Sequence, residues 1–75
     1  MIAASSIREN MEVLGSDGVH VGVVDHVEGN GEVRLAKDDA GGERHFIPLA
    51  WVVHVEMKVH LNQPGEIAKA HWTSH

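Results

Sequence analysis

Cysteine is absent from this 75-residue chain, as are tyrosine and any long apolar run. Without cysteine, the chain forms neither disulfides nor thiolate metal sites. Without an apolar stretch of ~20 residues, it offers no membrane-spanning helix. Phenylalanine occurs once and tryptophan twice, so aliphatic side chains are expected to fill most of the core.

Basic residues are also few. Lysine and arginine number 6 against 11 aspartates and glutamates, which gives a formal net charge of -5. A protein that binds nucleic acid needs a basic face to displace counterions, and here the basic residues are scattered along the chain. The first residues lack both the basic head and the long apolar middle of an export signal. We therefore expect a cytoplasmic protein that has neither nucleic acid nor membrane as a partner.

The short length limits the stability that the chain can reach alone. Residues 1–75 make one domain. A domain of this size buries only about 60% of the surface of its unfolded chain, and its core supplies roughly 3–5 kcal/mol. Because disulfides and thiolate metal sites are excluded, association with copies of itself or with another protein is the expected source of further stability.

Valines alternate with other residues from Val19 to Val27, which predicts a half-buried strand. Gly29-Asn30-Gly31 closes a hairpin, and a three-residue loop keeps apolar residues opposite one another. The expected pairs are Val27 with Val33, His26 with Arg34, and Asp25 with Leu35. Asp25 interrupts the apolar side of its strand. It is interpreted as a hydrogen-bonded or bulged residue, and the alternative is a buried carboxylate with a raised pKa.

The other strand candidates are Met11–Leu14, Glu32–Lys37 and Arg44–Ile47, with Asp38–Gly42 as a loop. Leu49–Val52 is expected to form a tight turn that places Trp51 on the core. From Val53 to Leu61 every odd position is apolar. That pattern fits one long strand as well as a hairpin with the loop Glu56-Met57-Lys58, because a loop of odd length preserves the parity.

Short helical segments are predicted at both ends. Ser6-Ile7-Arg8-Glu9 has the form of a capping box and indicates a short N-terminal turn. Pro64 suits the start of a C-terminal helix, assigned to residues 63–72 with Ile67, Ala70 and His71 on one face. Five or six short strands over residues 10–62 predict an all-β fold, a small closed barrel. The expected core comprises Val13, Val21, Val23, Val27, Val33, Leu35, Phe46, Ile47, Trp51, Val53, Val55, Val59 and Leu61.

Several motifs resemble known families. Gly15-Ser16-Asp17-Gly18 and the following Val21-Gly22-x-Val24-Asp25-x-Val27 resemble the opening hairpin of PRC-barrel domains, and Ile47-Pro48-Leu49-x-Trp51-Val52 is similar to the start of one of their late strands. Val59-x-Leu61 and the tail Ala68-x-Ala70-x-Trp72 resemble a small bacterial single-domain family of unknown function. The likeness runs from about Met11 to Trp72. It implies a PRC-barrel-like β-barrel without catalytic residues, since PRC-barrels are known chiefly as protein-docking modules.

Seven histidines are the most suggestive feature of the sequence. Zinc requires three or four ligands that converge at about 2.0–2.1 Å. His20 and His26 lie roughly 20 Å apart along one extended strand, too far to share an ion within a chain. His54 and His60 face each other if the last hairpin forms, and they are then the candidate metal ligands. In the alternative interpretation the histidines bind no metal and lie at the solvent surface, because they occupy the polar side of their strands.

The sequence offers no arrangement of nucleophile, base and metal that supports catalysis, so a non-enzymatic role without a cofactor is predicted. The leading hypothesis is a protein-interaction or self-association module, which makes a homo-oligomer or another protein the expected partner. The alternative is a small metal-binding or pH-responsive protein that uses His54 and His60.

Overall fold

Seven strands and one α-helix form the computed structural model, which describes residues 4–36 and 44–74. The strands are β1 (Glu12–Leu14), β2 (His20–Val27), β3 (Glu32–Leu35), β4 (His45–Pro48), β5 (Val52–Val55), β6 (Val59–Leu61) and β7 (Thr73–Ser74). The helix α1 spans Gly65–His71, and 3₁₀ turns span Ala4–Ser6 and Leu49–Trp51. None of the helical segments in these two ranges is long and apolar enough to cross a membrane.

One mixed sheet contains all the described strands, in the order β5-β6-β1-β2-β3-β4-β7. The β1–β6 pair is parallel and the other pairs are antiparallel. The small, mostly β class is therefore confirmed, but the expected closed barrel is not formed, because no ladder joins the two ends within the described ranges. The two edge strands of the sheet are β5 and β7, and β7 has only 2 residues.

The β2–β3 hairpin has the predicted loop and two of the three predicted pairs. His26 lies opposite Arg34, and Val27 lies opposite Val33. The third expected pair is wrong, because Val24 takes the place opposite Leu35 and Asp25 becomes the extra residue of a β-bulge. An extra residue inverts the side chains beyond it. Accordingly, Val24 is buried and Val23, which was assigned to the core, is only half-buried.

The second hairpin, formed by β5 and β6, resolves the alternative left open by the sequence. His54 lies opposite His60, and Val55 lies opposite Val59. The register shifts between Val52 and His54, so Val52 pairs with Leu61 and Val53 is the bulged residue. Val52 is therefore buried, whereas Val53 is 56% exposed and the prediction that it belongs to the core is wrong.

Eleven aliphatic residues form the buried core in the described part of the chain. They are Ile7, Val13, Val21, Val24, Val33, Leu35, Ile47, Val52, Val59, Leu61 and Ala68. Of the other residues predicted to lie there, Val27, Val55 and Trp51 are half-buried and pack against the margin of the core. Phe46 is also half-buried, but it lies opposite Arg34, on the sheet face that points away from Val33 and Ile47.

The β1–β2 turn holds the start of α1 through close backbone contact. A Cβ atom on Gly15 would lie 2.2 Å from the amide nitrogen of Gly65, so only glycine fits there. Oδ1 of Asp17 accepts hydrogen bonds from the N–H groups of Gly65 at 3.1 Å and Val19 at 3.2 Å. These two bonds, that from Gly65 most strongly, hold the pKa of the Asp17 carboxyl below its ordinary value of 3.8.

This attachment decides which side of α1 is buried. Pro64 caps the helix as predicted, and Gly65 and Ala68 face inward. The face on which Ile67, Ala70 and His71 were grouped is the outer one, since all three are exposed.

The remaining differences lie near the ends of the chain. The N-terminal 3₁₀ turn Ala4–Ser6 ends at the first residue of the capping box, and the predicted helical turn beginning at Ser6 is not formed. Strand β7 follows the helix and was not predicted. The predicted loop Asp38–Gly42 lies outside the described residues.

Candidate functional site

An ion-pair network covers the outer side of the β2–β3 hairpin. We use that name for Asp25, His26, Glu28, Arg34 and Arg44. Asp25 Oδ2 accepts hydrogen bonds from Arg34 Nε at 2.7 Å and from Arg44 Nη1 at 3.0 Å. Because the bulge turns Asp25 out of the core, its carboxylate reaches both guanidinium groups, and the network links β2 to β3 and to the residue that precedes β4.

Arg34 also fixes the tautomer of His26. Its Nη2 lies 2.8 Å from His26 Nδ1. A guanidinium group only donates, so Nδ1 must be the acceptor and the ring proton must reside on Nε2. That Nε2 lies 3.3 Å from Glu28 Oε1. His26 thereby lies between Arg34 and Glu28 and contacts both.

The charges around Asp25 exclude the proton-transfer interpretation of this residue. Partial burial pushes the pKa of the Asp25 carboxyl upward. The hydrogen bond from Arg34 and the charges of Arg34 and Arg44 outweigh that effect, so the pKa lies below its ordinary value of 3.8. A general base that works near neutral pH needs a raised pKa. The bulge interpretation of Asp25 is confirmed, and the alternative of a raised pKa is wrong.

The network predicts a specific response to acid. A carboxyl whose folded pKa is lowered adds stability above its unfolded pKa, and that stability is lost as the pH falls through the folded value. We expect Asp25→Asn to lower the urea midpoint at neutral pH, with the gap from wild type closing as the pH falls below the ordinary aspartate pKa of 3.8. Urea unfolding across the acid range measures this gap, and Glu9→Gln, which alters an exposed carboxylate, is the control. A gap that stays constant into strong acid would show that packing, not charge, causes it.

A second set of contacts joins the β5–β6 hairpin to the middle of the sheet. Glu12 on β1 binds His20 Nδ1 at 2.7 Å and Lys58 Nζ at 3.1 Å. The hydrogen bonds from His20 and then from Lys58 hold the pKa of the Glu12 carboxyl below its ordinary value of 4.5. Lys58 belongs to the hairpin loop, so its charge is directed toward β1.

The histidine pair, His54 and His60, lies on the same hairpin. The two ring centroids are 5.5 Å apart and the ring planes are inclined by 41°. The side chain of His54 is 59% exposed, and its Nε2 lies 3.9 Å from Glu56 Oε2. The two imidazoles thus meet at the surface, as the hairpin alternative required.

The other histidines lie apart from this pair. His20 and His26 are committed to the contacts described above, and His45 is buried with its ring stacked on Trp72 at 3.8 Å. His71 is exposed on α1, and His75 lies outside the described residues. Within those residues, no group of three or more histidine, cysteine, aspartate or glutamate side chains is arranged to hold a metal ion.

These observations define a small, mostly β domain with an ion-pair network on one hairpin and a pair of histidines on the hairpin at one sheet edge. Residues 7–69 match a family described as an uncharacterized protein conserved in bacteria (DUF2171), and the chain belongs to that family. This finding confirms the resemblance to a small bacterial family of unknown function. A comparison with curated proteins finds no match.

Proposed function

We propose that this domain is a non-enzymatic module that binds a second copy of itself through the β5 edge, by which we mean the side of β5 turned away from β6. The observation that carries the proposal is that this edge is open while apolar side chains surround it. In the described part of the chain β5 pairs only with β6. Val53 on this strand is 56% exposed, and Met57 in the adjoining loop is 85% exposed. An exposed, partly apolar strand edge is a template for pairing with another chain.

The non-enzymatic part of the proposal is supported by how the charged groups are used. Asp25, His26 and Glu28 are each bound to Arg34 or to one another, and none is paired with a nucleophile. Catalysis of acid–base or nucleophilic type needs a group free to exchange a proton with a substrate. Self-association also fits the small core of the domain, which consists only of aliphatic residues among those described.

We also propose that the domain is related to PRC-barrel domains. The ordered motifs Gly15–Gly18, Val21–Val27 and Ile47–Val52 resemble PRC-barrel domains, and we infer a PRC-barrel-like origin and a docking role in the cytoplasm. The order and spacing of these motifs support that origin. The free β5 edge marks where this chain departs from a closed barrel.

Self-association is tested by the mass of the protein in solution. We expect light scattering coupled to size exclusion to give a mass above that of the monomer, increasing with concentration, in buffer without chelator. Val53→Lys places a charge beside the β5 edge and is expected to give a monomer. Ile67→Lys makes the same kind of change at a residue that is 46% exposed on α1, and is expected to behave as wild type.

Two results would contradict this proposal. One is a wild-type protein that stays monomeric at every accessible concentration, with and without added zinc. The other is a loss of association in Ile67→Lys equal to that in Val53→Lys, since this would place the contact elsewhere.

A second candidate function is supported by the histidine pair. Two imidazoles on one tetrahedral zinc at ~2.0–2.1 Å have ring centroids roughly 5 Å apart. The separation of 5.5 Å between His54 and His60 is close to that value. We propose that the pair binds a divalent metal ion of the zinc class or responds to acid, since two protonated rings at this distance repel. Calorimetric titration of zinc into wild type and His60→Ala tests metal binding, and equal, negligible heats would contradict it.

A further inference from the structure

We propose that His54 and His60 are half of a zinc-class metal site, and that a second copy of the chain supplies the rest when two β5 edges pair. This inference rests on the proposed self-association and joins it to the histidine pair. The partner is a second copy of this chain, and the ligand is a divalent transition-metal ion that prefers imidazole, such as zinc.

A single copy supplies too few ligands for a stable zinc site. Protein zinc sites use three or four side chains. His54 and His60 have a suitable separation, but the described residues place no third histidine or carboxylate with them in a metal-binding group. Glu56 is the nearest acid, with its Oε2 at 3.9 Å from His54 Nε2. The pair is therefore incomplete without ligands from outside the chain.

The position of His54 on an edge strand allows a second copy to complete the set. Two β5 strands that pair antiparallel about a two-fold axis at His54 place this residue opposite its own copy. Directly opposed residues have Cβ atoms about 4.5–5.5 Å apart and point to the same face. The sheet then carries the imidazoles in one row, in which His60, His54 and His54 of the second copy are neighbours. Three adjacent imidazoles at this spacing meet the minimum for zinc.

The same edge is weak as a backbone interface alone, which gives the metal a role. Strand β5 has four residues and contains a bulge, and both features reduce edge-to-edge pairing. Each copy also has a formal net charge of -5, so two copies repel. A divalent cation between them offsets part of that repulsion. Lys58, the basic residue of the hairpin loop, does not oppose the ion, because Glu12 holds its Nζ at 3.1 Å.

The experiment compares the mass of the full chain in chelator with its mass in substoichiometric zinc, the metal alone being the probe. We expect a monomer in chelator and a dimer with zinc, with the change complete at one zinc for two chains. Zinc should lower the apparent dissociation constant of the dimer about tenfold or more. His54→Ala and His60→Ala should abolish the effect. His71→Ala removes an exposed imidazole from α1 and should retain it.

Neither histidine of the pair belongs to the buried core, so we expect both alanine variants to fold. Circular dichroism verifies that they do. A dimer that is equally stable in chelator would overturn the metal link and leave self-association standing. Zinc bound at one per chain without a change in mass would overturn the shared site and leave the second candidate function standing. If zinc neither binds nor changes the mass, and no association is seen, this inference, self-association and metal binding all fail. Loss of the effect in His71→Ala would assign the metal to the C-terminal helix and overturn the site.

Discussion

Replacing Gly15 by alanine is expected to unfold most of the protein at room temperature. The new Cβ atom would lie 2.2 Å from Gly65 N, 2.6 Å from Gly65 Cα and 2.8 Å from the carbonyl carbon of Pro64. All three are backbone atoms, so no change of side-chain rotamer relieves the contact. The β1–β2 turn and α1 must separate, which breaks the bond from Ser16 N to Gln63 O at 2.8 Å and the bond from Gly65 N to Asp17.

The expected loss is large relative to the stability available. Overpacking typically costs about 1–3 kcal/mol and sometimes more, whereas a domain of this size has roughly 3–5 kcal/mol in total. Urea unfolding followed by circular dichroism measures the change. Gly29→Ala is the matched control, because its Cβ atom meets nothing within 4 Å and should leave the midpoint near that of wild type. Equal midpoints for the two variants would show that the Gly15–Gly65 contact is looser than described.

The alternation of apolar residues predicts the hairpins, and its interruption at Asp25 indicates a bulge there, but it does not predict the bulge at Val53. Around Gly29–Gly31 the parity predicts two pairs correctly, since facing residues share one face of a sheet. A valine doublet lies at each of these bulges: Val23-Val24 directly precedes the bulged Asp25, and Val52-Val53 contains the bulged Val53. In a doublet both parities are apolar, so the pattern cannot show which valine is buried. The doublets themselves are the signal in the sequence that the register can shift there.

The sequence predicts the contacts of the candidate site that form within a hairpin. It does not predict the contacts between strands that are distant in sequence. The facing positions of His54 with His60 and of His26 with Arg34 follow from hairpin parity. The contact of Arg44 with Asp25 joins residues 19 positions apart, and it requires β4, which follows Arg44 directly, to be packed in the sheet. No local pattern encodes that approach. The interaction of Glu12 with Lys58 likewise depends on the parallel β1–β6 pair, which the sequence did not predict.

The order of the strands in the sheet is the feature that is hardest to predict from the sequence. Short strands pair with sequence neighbours in the β1–β2, β2–β3 and β5–β6 hairpins, and these are the pairs that turn residues indicate. Placement of β6 beside β1, and of β7 beside β4, instead joins strands that are far apart in sequence. No turn between them indicates either pairing. The sequence therefore does not show that β5 and β7 become the two edges of the sheet.

The second large effect is expected from Ile47→Ala. Ile47 has no exposed surface and lies on β4 opposite Val33, at the centre of the aliphatic core. Truncation of a buried isoleucine to alanine removes its transfer free energy and leaves a cavity, at a cost of about 2–5 kcal/mol. Because the whole domain is worth roughly 3–5 kcal/mol, the variant should be largely unfolded in isolation and should lose its cooperative urea transition.

Ile67→Ala is the matched control, because it makes the same isoleucine-to-alanine change at a residue outside the core. Ile67 is 46% exposed on α1, where alanine has the higher helix propensity, so Ile67→Ala should unfold at nearly the wild-type urea concentration. Unfolding followed by circular dichroism at one protein concentration compares the two variants, with chelator present so that zinc-linked association does not add stability. A cooperative transition retained by Ile47→Ala would mean that the sheet can collapse around the cavity. The sheet, whose edge strands β5 and β7 are not paired with each other, would then deform more easily than the complete burial of Ile47 indicates.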